Sequence, residues 1–174
     1  MTDRAAPLRT IEVVIETAKG SHNKLKWDPE RGAFRLSHVL PLGMTFPFDF
    51  GFVPDTVAED GDPLDVLILM DSPCPPGCLV EVRLIGILEV EQRERSGEVV
   101  RNDRLIGVAQ ASTTHATTRE LRDLPPAVVG EIEAFFAQYD RLEGKEFRVI
   151  HRRGARVASS IVSAALSAEP SRGA

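Results

Sequence analysis

The segment Glu59-Asp60-Gly61-Asp62-Pro63-Leu64-Asp65 places four carboxylates within seven residues. Like charges this close repel, and ionising all of them costs energy without a counter-charge. A divalent cation supplies that charge: a hard ion such as Mg²⁺ binds through a few carboxylates together with waters and substrate phosphates. Gly61 permits a backbone angle that other residues avoid, and Pro63 stiffens the turn. Together they set the carboxylate directions ahead of any ion. Taken alone, such a segment is more often a solvated turn, since Asp, Gly and Pro are common turn formers. It is not an EF-hand loop, because the later ligand positions hold Leu, Val and Met.

The elements around the loop decide where those carboxylates go. Leu64 to Met70 is an apolar run short enough for a buried strand. Ile11 to Glu16 is β-branched and strand-like, and Lys24 to Asp28 with Ala33 to Val39 reads as a hairpin around Pro29-Glu30-Arg31-Gly32. Pro41 to Pro54, rich in Phe, Pro and Gly, reads as irregular, and Pro73-Cys74-Pro75-Pro76-Gly77 breaks the chain. Cys78 to Glu91 is a long strand region containing Gly86. A polar turn lies around Ser96-Gly97, and Arg104 to Ala109 is a further strand. Leu124-Pro125-Pro126 starts a helix. Val128, Val129, Ile132, Phe135, Phe136 and Tyr139 then recur on one stripe, and Gly144 ends it. Glu146 to His151 reads as the last strand and Ala155 to Leu166 as the last helix. Several strands and two late helices predict an α+β fold whose strands close into a small barrel. A single domain over 1–174 is expected, with loose termini at 1–10 and 167–174.

Composition narrows the function classes. The 174 residues carry 26 acids against 21 Lys and Arg, a formal charge of −5. Nucleic-acid binders usually show a basic surplus, so no nucleic-acid partner is expected. The longest apolar runs, such as Val66 to Met70, fall far short of the roughly 18 residues of a membrane span. No membrane partner is expected. Met1 to Thr10 has no apolar h-region, so a cytoplasmic location is expected rather than secretion. Cys74 and Cys78 have no second Cys/His pair at matching spacing and read as reduced thiols in a turn. No Ser/His/Asp or Cys/His spacing argues for a covalent nucleophile.

Asp60-Gly61-Asp62-Pro63-Leu64-Asp65-Val66 resembles the Asp-Gly-Asp-Pro-x-Asp-Val signature of the soluble inorganic pyrophosphatases. Other landmarks agree in order. Val13-Val14-Ile15-Glu16 resembles the family's first strand and its active-site glutamate, and Asn23-Lys24 stands where the family places a phosphate-binding lysine. Phe46-Pro47-Phe48-Asp49-Phe50-Gly51-Phe52 follows the family's Tyr-Pro-x-Asn-Tyr-Gly-Tyr pattern with rings but no hydroxyls. Phe135 to Tyr139 resembles the helix that carries a substrate-binding tyrosine. The resemblance implies a closed five-stranded OB-like β-barrel with flanking C-terminal helices, often a homohexamer. It also implies Mg²⁺-dependent hydrolysis of pyrophosphate, with Mn²⁺ as a substitute ion, whereas the chain's departures from the family pattern would suit another small phosphorylated anion. By the same resemblance, Glu16, Asp60, Asp65, Glu94 and Asn102 are metal ligands. Asp62 would orient or deprotonate the attacking water, and Lys24, His38, Arg104 and Tyr139 would contact substrate.

The chain departs from that pattern at the site. The hairpin acid two residues after the lysine is Lys26, and the phosphate-binding arginine is His38. The two tyrosines are Phe46 and Phe50. The next pair of metal-binding aspartates falls on Glu94 and Asn102. The phosphate lysine is Arg104, and the lysine after the helix tyrosine is Asp140. Arg104 keeps its charge and adds a fork, and Asn102 offers an oxygen without charge. Hydrogen bonds to charged groups are worth roughly 1.5–3 kcal/mol each, so losses at positions 38, 50 and 140 remove about 4–9 kcal/mol if they add. Enzymes supply roughly 8–23 kcal/mol. Lys26 beside Lys24, and Arg101 beside Asn102, are candidate compensating charges, although both lysines read equally as a solvated strand face and Tyr139 as core. Two alternatives stand beside the enzyme. One is a non-catalytic or retuned phosphate- and metal-binding module on the same barrel. The other is an OB-type nucleic-acid binder, which the acidic charge and 6% aromatic content disfavour.

Overall fold

β-Branched residues extend the chain into β1 (Thr10–Thr17), in a computed structural model that describes residues 10–167. β2 (Asn23–Asp28) and β3 (Ala33–Val39) make the expected hairpin, a two-stranded sheet of its own. β4 (Asp49–Phe52), β5 (Asp65–Leu69), β6 (Leu79–Arg93), β7 (Val99–Arg101) and β8 (Arg104–Ala109) follow. A 3₁₀ turn at Leu121–Asp123 leads to α1 (Pro126–Leu142), then β9 (Glu146–Gly154) and α2 (Ala155–Ser167).

Five strands close on themselves: β1 pairs β4, β4 pairs β5, β5 pairs β8, β8 pairs β6, and β6 returns to β1. The β5–β8 pairing is parallel and the others are antiparallel. β6 permits closure through its length. Leu79 to Arg83 lie against β1, and the far half lies against β8, β9 and β7. At Gly86 the register with β8 shifts, and a Cβ would stand 2.6 Å from the Arg153 carbonyl oxygen. Only glycine allows so close a backbone approach. This five-stranded ring with its two flanking helices is the α+β, OB-like barrel that the sequence implied.

β5 is buried on both faces, which is why it reads as an unbroken apolar run. Val66 and Ile68 pack with Val13, Ile15 and Leu84, under Ala158 and Val162 of α2. Leu67 and Leu69 pack with Phe50, Ile85 and Val90, under Ile132 and Phe136 of α1. Strand alternation puts Asp65 on the Leu67 face and Arg104 on the face of Ile106 and Val108, which belong to the same α1-covered cluster. One face of the barrel therefore carries both site residues and the helix above them.

Several expectations are corrected. The stretch from Pro41 to Pro54 contains β4, because β1 and β5 flank it and take its backbone hydrogen bonds. Four residues are too few to show a period. β7 was not anticipated, and it pairs Glu91 to Arg93 of β6. β9 runs on to Gly154 and passes into α2 without a loop. Of the termini expected to be loose, Thr10 opens β1 and Ser167 closes α2, and the rest lie outside the described residues. Cys74 and Cys78 are free thiols. No described helix is long and apolar enough to cross a membrane.

Candidate active site

A cavity of about 830 Å³ opens between the β2–β3 hairpin, the acidic loop, the start of β8 and the C-terminal half of α1. Lys24 and Lys26 stand two apart on β2, so both face it. The Lys24 ammonium sits 4.0 Å from the centre of the Phe50 ring and 3.4 Å from Oε2 of Glu16. The other Glu16 oxygen accepts the Trp27 backbone N–H at 2.7 Å. Burial pulls the Lys24 pKa down, and the Glu16 carboxylate opposes it. The phenylalanines at positions 46 and 50 donate nothing, but their faces hold a cation. Both oxygens of Glu16 are thus engaged in placing the hairpin and its lysine.

Gly61 adopts a φ of +88°, the left-handed angle expected of it. This bend lets Oδ1 of Asp60 accept the Asp62 backbone N–H at 3.1 Å. Asp60 is not part of the cavity lining, whereas Asp62 and Asp65 are. Asp62 Oδ2 receives Lys26 Nζ at 2.7 Å, and Asp65 Oδ2 lies 2.7 Å from Arg104 Nη1. Burial pushes the Asp65 carboxyl up, against the fields of Arg104 and Lys24, and Glu16 and Asp62 add to the rise. Burial also raises Asp60, reinforced by Asp65 and Asp62. Lys26 and Arg104 thus meet two of the loop's carboxylates, while burial still resists full ionisation of Asp65 and Asp60.

The facing wall differs from the expectation. Asn102 lines the cavity, and beside it lies Gln92, not Glu94. Asn102 Nδ2 donates to Gln92 Oε1 at 2.9 Å, and Asn102 Oδ1 accepts from Arg104. Glu94 instead lies 3.2 Å from Lys145 Nζ. Gln92 continues the alternation of Leu88 and Val90 on β6, a signal available in the sequence had the strand been carried past Glu91. His38 also lies outside the lining, with Nε2 3.1 Å from Glu143 Oε1. Arg101 is forked onto Asp103 and turned to other use.

On α1, Tyr139 lines the cavity, and burial and Glu143 push its phenol above its usual range. Asp140 lines it too, is only 2% exposed, and leaves Oδ2 without a partner. Burial pushes its carboxyl up to about 6, although Arg104 and Lys145 pull the other way. Glu143 and Lys145 complete this wall, and neither was singled out in the sequence.

The two walls suit a hard dication unequally. Among the described residues no three His, Cys, Asp or Glu side chains are grouped to share one ion. Mg²⁺ needs no such cage, since it binds through one or two carboxylates plus waters and phosphate oxygens. The aspartate loop, with Asp62 and Asp65 on the lining, fits that requirement. The Gln92–Asn102 wall does not: it is neutral, and its amide oxygens already accept hydrogen bonds.

A family model described as inorganic pyrophosphatase matches residues 13–169. The inorganic pyrophosphatase of Thermus thermophilus is 42% identical over 136 residues, covering 78% of this chain and 75% of that protein. That of Geobacillus stearothermophilus is 36% identical over 154 residues, covering 88% and 90%. The crystal structure of the Thermus thermophilus inorganic pyrophosphatase matches with a TM-score of 0.84 at 38% identity, over 95% of this chain and 92% of that one. Fold and sequence agree along nearly the whole described chain, which therefore belongs to the inorganic pyrophosphatase family.

Proposed function

We infer that this chain hydrolyses inorganic pyrophosphate to two phosphates. The observation that carries this reading is that Lys24, Arg104, Asp62 and Asp65, drawn from three strands and a loop, meet at one polar cavity. Charge-assisted hydrogen bonds to phosphate oxygens are among the strongest a site can offer. Arg104 presents a fork to the anion, and Lys24 a point charge held by Glu16. Asp62, half exposed at the mouth, holds the attacking water and takes its proton. Tyr139 contacts a phosphate oxygen from α1. Mg²⁺, with Mn²⁺ as substitute, is the ion assigned to Asp60 and Asp65. When bound it neutralises the anion and lowers the pKa of a coordinated water. A single-domain organisation, a cytoplasmic location and a homohexameric assembly are proposed on the family resemblance.

Phosphate release from pyrophosphate, measured with Mg²⁺ and with Mn²⁺, tests the reading. Release above a metal-free blank, lost in Asp65→Asn, is expected. No release above the blank overturns it. The neutral Gln92–Asn102 wall favours a second reading, a retuned module that binds a phosphorylated anion without turning it over. Calorimetric binding of pyrophosphate with no phosphate released supports that second reading.

A further inference from the structure

The resemblance puts an acid at position 26, and this chain has Lys26 there instead. Its ammonium does not point to bulk water. It crosses the mouth of the cavity to Asp62 Oδ2 at 2.7 Å, joining the hairpin to the acidic loop. Asp65 already has Arg104 at 2.7 Å, and Glu16 has Lys24 at 3.4 Å. Glu16, Asp62 and Asp65 therefore each face a cation supplied by the chain itself. The opposite wall carries two neutral amides, Gln92 and Asn102, which bond to each other and to Arg104. Three of the acids that line the cavity are thus compensated before any dication arrives.

We propose that Lys26 is a resident counter-cation: its ammonium neutralises Asp62 in place of a second divalent ion, so the site takes one divalent ion in the absence of substrate. This inference rests on the pyrophosphatase reading of the same cavity. An ammonium with three donors on a flexible stem is a compact point charge that can settle against a carboxylate while its other donors stay hydrated. A divalent ion drawn to Asp62 must displace it. The pair is 39% and 52% exposed, so Lys26 can be exchanged without disturbing the core.

The test is Mn²⁺ binding, followed by electron paramagnetic resonance and calorimetry without substrate, in the unaltered protein and in Lys26→Ala, Lys26→Glu and Lys26→Arg. Circular dichroism checks that each variant is folded. One Mn²⁺ is expected for the unaltered protein and for Lys26→Arg. Lys26→Ala and Lys26→Glu are expected to take a second ion or to bind up to about fivefold more tightly, the range set by losing one partly exposed ion pair. Two or more ions on the unaltered protein, or four proteins that titrate alike, overturn the proposal. Failure of the pyrophosphatase reading appears separately, as absent phosphate release with Mg²⁺.

Discussion

Arg104 Nη1 lies 2.7 Å from Asp65 Oδ2 because each residue is the first of its strand and β5 and β8 run parallel, with Val66 opposite Leu105. The pairing register brings the two charged residues side by side at one end of the barrel. Arg104 is also packed over the Phe136 ring, so α1 limits where its fork can go. A cation and a carboxylate thus arrive at the cavity on rigid elements, not on loops.

Asp65→Asn removes both the charge that would hold a divalent ion and the partner of a nearly buried guanidinium. Phosphate release is expected to fall about 100-fold or more, and stability in urea to fall by about 1–3 kcal/mol. A variant that turns over at the unaltered rate contradicts the role given to Asp65.

Glu16→Gln leaves the Lys24 ammonium in an apolar cage without its carboxylate. Breaking a buried pair at one end costs about 3–5 kcal/mol, whereas replacing both ends can be nearly neutral. Urea melts of Glu16→Gln alone and together with Lys24→Met are expected to show the double variant more stable than the single one. The reverse order argues that Lys24 is not dependent on Glu16.

Asp140 predicts a pH dependence. Its carboxyl is raised from 3.8 to about 6 in the folded chain. The folded state therefore binds the proton more tightly. The associated stability is full below pH 3.8 and is lost as pH rises through about 6. Asp140→Asn removes that loss, and by pH 8 it is expected to be more stable than the unaltered protein by about 3 kcal/mol. Equal denaturation midpoints at pH 8 count against an uncompensated charge at Asp140.

The amide wall makes an opposite prediction. Gln92→Asp with Asn102→Asp puts two acids where the cavity is neutral. Mn²⁺ affinity is expected to rise about tenfold, with phosphate release rising alongside it. Calorimetry and a rate assay on the double variant check this, and unchanged affinity refutes the account of the wall.

Much of this protein can be read without coordinates. Four acids in seven residues mark concentrated negative charge, ordinary in a solvated turn and costly once part of it is buried. Gly61 announces a left-handed bend, the unbroken run after Asp65 a strand buried on both faces, and the stripe from Val128 to Tyr139 a helix lying on a core. Each of these is local: it depends on backbone sterics, on the repeat of one element, or on charges a few bonds apart. What answers the acids is not local. Lys26 reaches Asp62 across 36 positions of sequence, and Arg104 reaches Asp65 only because two parallel strands share a register. Gln92 rather than Glu94 lines the cavity because β6 runs past Glu91 to Arg93 and ends before Glu94, which lies against Lys145. Asp140 is buried because α1 settles onto the barrel with that position on its inner edge. Periodicity specifies which face of an element is apolar. Which charges meet across that face depends on ring closure and strand register, which exist only once the barrel has formed.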